Sequence, residues 1–250
     1  MSELTLAVAL GIVAAAYAAV GQAGGTGYVA VLSLADFAPD VIKSSGLVLN
    51  ILVSAIGCFY AYRARLLSWR SCYPFAILGA PFSVIGGALH LPPLFYMPLL
   101  GTLLFIAAAL MFRSAYRADI RDAAAPISPP FVSALLSGGA IGFLSGVTGV
   151  GGGIYLAPLL LLFTWSTTRN AAAITAVYNL MNSAAALTGV VLTAPSFPDQ
   201  IPIWCIAVSV GGIAGALFGL NIASPRTLRF ILAALLLVAA MRMIAVSLGI

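Results

Sequence analysis

Two glycine-rich stretches, "GQAGGTGYVAV" over 21–31 and "GVTGVGGGIYLAP" over 146–158, interrupt otherwise apolar sequence. Glycine weakens a helix interior by about 1 kcal/mol relative to alanine. In hydrocarbon an unpaired backbone group costs several kcal/mol, so such breaks need a use. A helix starting just after Gly151, Gly152 and Gly153 would present N–H groups without helical partners and the positive end of its dipole. Such an end binds anions, and glycine lets an oxyanion approach the backbone. Gly24, Gly25 and Gly27, with Thr26, would form the corresponding end in the first stretch. Thr148 and Ser145 stand beside one break, Gln22 and Thr26 beside the other. Asn50 and Asn179 carry amides, with Ser54 and Ser183 one turn later on the same faces. Amides placed this way turn toward other helices or a wet cavity. A blander reading stands beside this one. Serine and threonine often bond their own helix backbone or a neighbour, and Gly139, Gly211, Gly215 and Gly219 read as close-packing positions. The breaks could also expose carbonyls that, with the amides of Asn50, Asn179 and Asn182, hold a cation or neutral solute.

Catalytic readings fare poorly. "GFLSG" over 142–146 lacks the G-x-S-x-G spacing, and the single histidine, His90, lies beside Pro92 and Pro93 away from any serine it could activate. "GVGGG" has no preceding strand, no acidic residue about 20 positions on and no following lysine, so neither a dinucleotide loop nor a P-loop fits. Glu3, Asp36, Asp40, Asp119, Asp122 and Asp199 all fall in connectors or at segment ends, which leaves no carboxylate to carry protons through a span. Cys58, Cys72 and Cys205 have no paired spacing and read as packing residues. No enzyme, cofactor or metal site is expected.

The elements that position these residues follow from composition. Of 250 residues 62% are hydrophobic and 7% charged, against about a quarter charged in soluble domains. Apolar runs of spanning length recur, and they do not alternate as barrel strands would. The chain is therefore an all-α, polytopic membrane protein. Its net charge of +5 is scattered singly through connectors, which argues against nucleic acid. The start "LTLAVALGIVAAAYA" has Glu3 where a signal peptide needs a basic flank, so it reads as a retained membrane segment.

A Pro-rich connector over 117–130 divides two similar halves. Gly11, Gly21, Gly24 and Gly25 fall on Gly139, Gly149, Gly152 and Gly153; Asn50 and Ser54 fall on Asn179 and Ser183; Gly79, Gly87 and Pro93 fall on Gly211, Gly219 and Pro225. This is an internal duplication of the kind many transporters carry. It divides the chain into a first repeat over 1–118, a cytoplasmic connector over 119–130 and a second repeat over 131–250. Predicted segments run 4–22, 25–36, 41–62, 70–90 and 94–113, then 131–148, 152–165, 169–192, 201–222 and 226–249. Those after the glycines reach only about 18 Å and cannot cross a core of about 30 Å. Either each broken pair crosses once, or it enters and turns back. If it turns back, the halves are inverted and one side collects Arg63, Arg65, Arg70, Arg113, Arg117, Arg121, Arg169, Arg226 and Arg229 against Lys43 and Arg242. If it crosses, the halves are parallel, and Arg169, Arg226 and Arg229 join Lys43 on the poorer side while Arg242 leaves it. The positive-inside rule favours two inverted repeats, each a Gly-broken hairpin plus three transmembrane helices, with the connector cytoplasmic.

The two breaks, the duplication and the closing "SPRTLRFILAALLLVAAMRMI" together resemble the TauE/SafE family of membrane proteins, the sulfite exporters. The best match is "GFLSGVTGVGGGIYLAP" over 142–158, with Gly149, Gly151, Gly152, Gly153 and Pro158 on key positions, and similarity spans essentially the whole chain. The first half departs at Ala23, Thr26 and Ala30. The resemblance implies a bacterial cytoplasmic-membrane transporter of a small anionic substrate: sulfite, thiosulfate or an organosulfonate such as sulfoacetate. Its partners would be that anion and the lipid bilayer, with no nucleic acid; self-association as a homo-oligomer stays open. The expected substrate-binding set is Gly24, Gly25, Thr26, Gly27, Asn50, Thr148, Gly151, Gly152, Gly153 and Asn179. Leucine at position 152 is expected to abolish binding in a protein that still folds.

Overall fold

The computed structural model describes residues 3–117, 127–193, 195–222 and 225–247. Ten helices follow one another: α1 (Glu3–Ala19), α2 (Gly25–Leu34), α3 (Pro39–Arg63), α4 (Trp69–Ala88), α5 (Pro93–Arg117), α6 (Phe131–Thr148), α7 (Gly153–Leu162), α8 (Thr168–Thr193), α9 (Ile201–Ile222) and α10 (Pro225–Ser247). No strand interrupts them among the described residues. Their bounds lie within a few residues of the predicted segments, because glycine and proline punctuate an otherwise uniformly apolar chain. Among the described residues six helices are long and apolar enough to span a membrane, and α2 and α7, at 10 residues each, are not. The fold is an all-α, polytopic membrane protein. Most of the connector, 118–126, with Arg121, lies outside the described residues.

Both short helices end alike. Asp36 and Thr164 adopt φ of 62° and 53°, and the next N–H reaches back to close the last turn, Phe37 to Leu32 O at 3.3 Å and Trp165 to Leu160 O at 2.8 Å. This is a helix stop made without glycine. Their beginnings differ. Gly21 and Gly24 are left-handed before α2, whereas Gly149 and Gly151 are left-handed before α7. The residue aligned with Gly151 is Ala23, so the first break cannot use the same backbone path.

Small residues set the helix packing. On α6, an added Cβ at Gly138, Gly142 or Gly146 would meet the backbone of Phe75, Gly79 or Ser83 on α4, so these two helices run parallel at close range. Likewise Gly211 and Gly215 of α9 lie against Gly11 and Ala15 of α1, also in parallel. Gly211 and Gly215 are thus packing positions, as expected; Gly139 faces Leu78, and the contacts of Gly219 lie outside the described residues. Corresponding helices run antiparallel. On α3 and α8, Leu47 meets Ala186 and Val190, Asn50 Nδ2 donates to Ser183 Oγ at 2.7 Å, and Gly57 faces Ala176. On α5 and α10, Gly101 faces Met243 and Ile244, and the rings of Phe112 and Phe230 lie 5.7 Å apart.

These contacts give the bundle two ends. At one, Glu3 accepts from Gln200 at 2.9 Å and Asp36 pairs with Arg242 at 2.7 Å. At the other, Tyr73 meets Phe131 and Phe75 meets Trp165, Ile127 donates to Thr164 O at 2.9 Å, and the helix ends carry Arg63, Arg65, Arg70, Arg113, Arg169, Arg226 and Arg229. The first is here termed the far end and the second the arginine end. Helix α1 starts at the far end and α2 returns there; α6 starts at the arginine end and α7 returns there.

Candidate functional site

The two returning helices begin beside each other in the middle of the bundle. Gly25 opens α2, and a Cβ on it would stand 2.8 Å from the Val150 carbonyl carbon and 3.0 Å from Asn50 Cγ. Gly151 lies against both amides, its Cβ position 3.1 Å from Asn50 Cγ and 3.2 Å from Asn179 Oδ1. Gly153 opens α7 and donates its N–H to Asn179 Oδ1 at 2.6 Å. Asn50 and Asn179, near the middle of α3 and α8, are 0% and 6% exposed. Two positive helix ends and two buried amides therefore share one small volume.

The remaining expected residues divide. Gly24 is left-handed, at φ 87°, and packs on Tyr28 and Tyr17; Gly27 faces Val13 and Tyr17. Thr26 Oγ1 pairs with Tyr17 OH at 2.8 Å, and Thr148 Oγ1 donates to Leu144 O of its own helix at 2.7 Å. Both threonines follow the blander reading. Gly152 turns away from the shared volume: its added Cβ would stand 2.5 Å from the Tyr178 ring and 2.8 Å from Ile141. Leucine there would collide with the core, so position 152 cannot separate binding from folding.

A cavity of about 250 Å³ leads to this volume from the arginine end. Tyr60, Ala64, Leu66 and Arg169 line its outer part, while Gln22, Ser54, Gly153 and Asn179 line its inner part. Between them run Gly57, Ala61, Ala172, Ala173 and Ala176. Of the expected set, Gly153 and Asn179 line the cavity; Gly24, Gly25, Thr26, Gly27, Asn50, Thr148, Gly151 and Gly152 do not. Ser54 Oγ, Gln22 Oε1 and Asn50 Oδ1 are buried without a hydrogen-bond partner in the structure, a costly condition unless water or a ligand completes it. By sequence position alone Arg169 is a connector charge. Stepping back from Asn179 at helical spacing gives Ala176, Ala172 and Arg169, so the face was available to sequence reasoning.

At the far end the corresponding side chains meet one another. With Asn50 aligned on Asn179, Leu47 corresponds to Ala176, Ala186 to Gly57 and Val190 to Ala61. Leu47, Ala186 and Val190 are buried against one another.

Matching to known proteins completes the picture. Residues 6–243 match the sulfite exporter TauE/SafE family. The chain belongs to the TauE/SafE family. A relative from Sinorhizobium fredii (strain NBRC 101917 / NGR234), named probable membrane transporter protein y4hK, is 48% identical over 239 residues, covering 96% of this chain and 97% of its own. No solved structure gives a significant match. As a TauE/SafE protein, the chain is a multi-pass membrane transporter, and the meeting point of α2 and α7 is its candidate substrate site.

Proposed function

We propose that this transporter carries a small anion, a sulfur oxyanion or organosulfonate of the sulfite, thiosulfate and sulfoacetate class, across the bacterial cytoplasmic membrane by alternating access. Two inverted repeats, 1–118 and 131–250, would be joined by a cytoplasmic connector over 119–130. The antiparallel run of α3 against α8 and of α5 against α10 supports inversion. The observation that carries the anion reading is the meeting of two helix N-termini, one of which lines, through Gly153, a cavity whose mouth holds Arg169. A bound anion would meet amide groups around Gly25, Gly151 and Gly153, with Asn50 and Asn179 turning to bond it. Gly153 N–H is held by Asn179 in this state, so binding would exchange that bond for one to substrate. No chemical step on the substrate is part of this reading.

Thermal unfolding of purified protein with sulfite, thiosulfate or sulfoacetate tests it. A ligand at about 100 times its Kd stabilises the folded form by about 2.7 kcal/mol, and matched chloride should give no such shift. A second reading, carriage of a cation or neutral solute, draws support from the unpartnered oxygens of Gln22, Asn50 and Ser54. Stabilisation that follows the cation and ignores the anion would replace the first reading with the second.

A further inference from the structure

Lys43 is the one lysine of the chain, and it is only 4% exposed inside a membrane-spanning helix. Its Nζ donates to Gly86 O at 3.1 Å, Gly87 O at 2.7 Å and Leu89 O at 2.7 Å. Three acceptors match the three protons of an ammonium and leave no place for the lone pair of a neutral amine. These carbonyls close the C-terminal end of α4, where a cation is favoured by the helix dipole. The backbone of Lys43 also packs on Gly149, whose φ of 75° permits the turn after α6.

Alignment of the halves shows what this position does elsewhere. Lys43 corresponds to Ala172, and Gly149 to Gly21. Ala172 packs on Gly21, its Cβ 3.2 Å from the added Cβ, so the same two positions meet in both halves. Ala172 lines the open cavity, whereas Lys43 sits at the closed end beside Ser44 and Leu47. Ser44 Oγ is bonded to Ser196 O, which ties α3 to the segment after α8. When inverted repeats exchange roles, the closed end takes on the arrangement of the open one. Position 43 would then line the far cavity as position 172 lines this one.

We infer that Lys43 is an anion-attracting residue of the far vestibule: its ammonium caps α4 while the far end is closed and faces the substrate path when that end opens. The inference rests on the alternating-access reading above. It makes the vestibules unlike in charge: Arg169 stands at the mouth of one, whereas the other carries Asp40 at the aligned position and Lys43 one turn further in, two helical turns from Asn50. At about 10 Å and an effective dielectric near 20, a unit charge is worth roughly tenfold in the local concentration of a monovalent anion.

The test uses single cysteines in the full chain with Cys58, Cys72 and Cys205 replaced by alanine, in sealed vesicles of known orientation. Ser44→Cys reports the far path, and Ala176→Cys reports the cavity at the arginine end. Two methanethiosulfonates of equal length, one bearing a sulfonate and one a quaternary ammonium, are applied to each side. With Lys43 present, Ser44→Cys should react with the anionic reagent in preference to the cationic one. Lys43→Gln, which keeps donors for the α4 carbonyls, should lower that rate ratio about a hundredfold, roughly tenfold through each reagent; Lys43→Arg should retain it, and the ratio at Ala176→Cys should not move. Labelling at Ser44→Cys with an unchanged ratio in Lys43→Gln would overturn the role of Lys43 alone. Labelling at Ala176→Cys with none at Ser44→Cys from the far side would overturn alternating access and the Lys43 proposal with it.

Discussion

The cavity at the arginine end and the plug at the far end are built from corresponding positions of α3 and α8, yet at one these positions line open space and at the other their side chains meet. The open end uses the smaller member of each pair: Ala176 against Leu47, Gly57 against Ala186, Ala61 against Val190, Ala172 against Lys43. A duplicated architecture therefore need not give two equal states. If the transporter alternates as proposed, side-chain volume alone would bias it, because apolar contacts at the plug would stabilise the far-closed arrangement and the alanines opposite supply no equivalent.

The largest effect is expected where the two tips touch. Gly25→Ala would drive a methyl into the Val150 carbonyl, where neither backbone can yield cheaply. Overpacking of this kind costs about 1–3 kcal/mol or more, so transport should be lost and the unfolding midpoint should fall. Wild-type flux in this variant would mean that the tips do not meet. Next, Leu47→Ala removes the plug's largest side chain, a change that costs about 2–5 kcal/mol in a packed site. The population should move toward the far-open state, read as faster labelling of Ser44→Cys from that side. Ala176→Leu should do the reverse to the cavity and cut flux from the arginine end.

A smaller effect is expected at the site itself. Asn179→Ala leaves the Gly153 N–H without its 2.6 Å acceptor, a loss of about 1–3 kcal/mol for a buried donor. Stability should drop by that amount, and the stabilisation given by the bound anion should shrink with it. Asn50→Ala, which removes a side-chain bond to Ser183 and leaves the backbone donors at both tips intact, should cost less. Equal losses would erase the distinction between the halves. The smallest effect is expected from Arg169→Gln, since the side chain is exposed. Anion entry should slow roughly twofold at low ionic strength and be unaffected at high salt, as screening requires.

Much of this was readable from the chain. Glycine is costly in a membrane helix, so its clusters marked the turns before α2 and α7 to within a residue or two. Arginine lay almost entirely at one set of helix ends. The left-handed stops at Asp36 and Thr164 were not readable, because nothing in either residue type demands that conformation. The hydroxyls of Thr26 and Thr148 were nominated by nearness in sequence, but Tyr17 and the Leu144 carbonyl hold them. Only the packed arrangement reveals such competitors. Lys43 was hidden for the same reason. Its partners are carbonyls more than forty residues on, and a carbonyl leaves no mark in sequence.

The interlaced packing of first helices bears on how the molecule is made. Helix α1 has its main seat on α9, and the glycine-lined groove of α4 receives α6, so each half lends its opening helix to the other. During synthesis α1 leaves the ribosome long before α9 exists, and α4 waits with that groove facing lipid until α6 arrives. The contact between α1 and α9 can form only after α9 has been made, which ties an early helix to a late one.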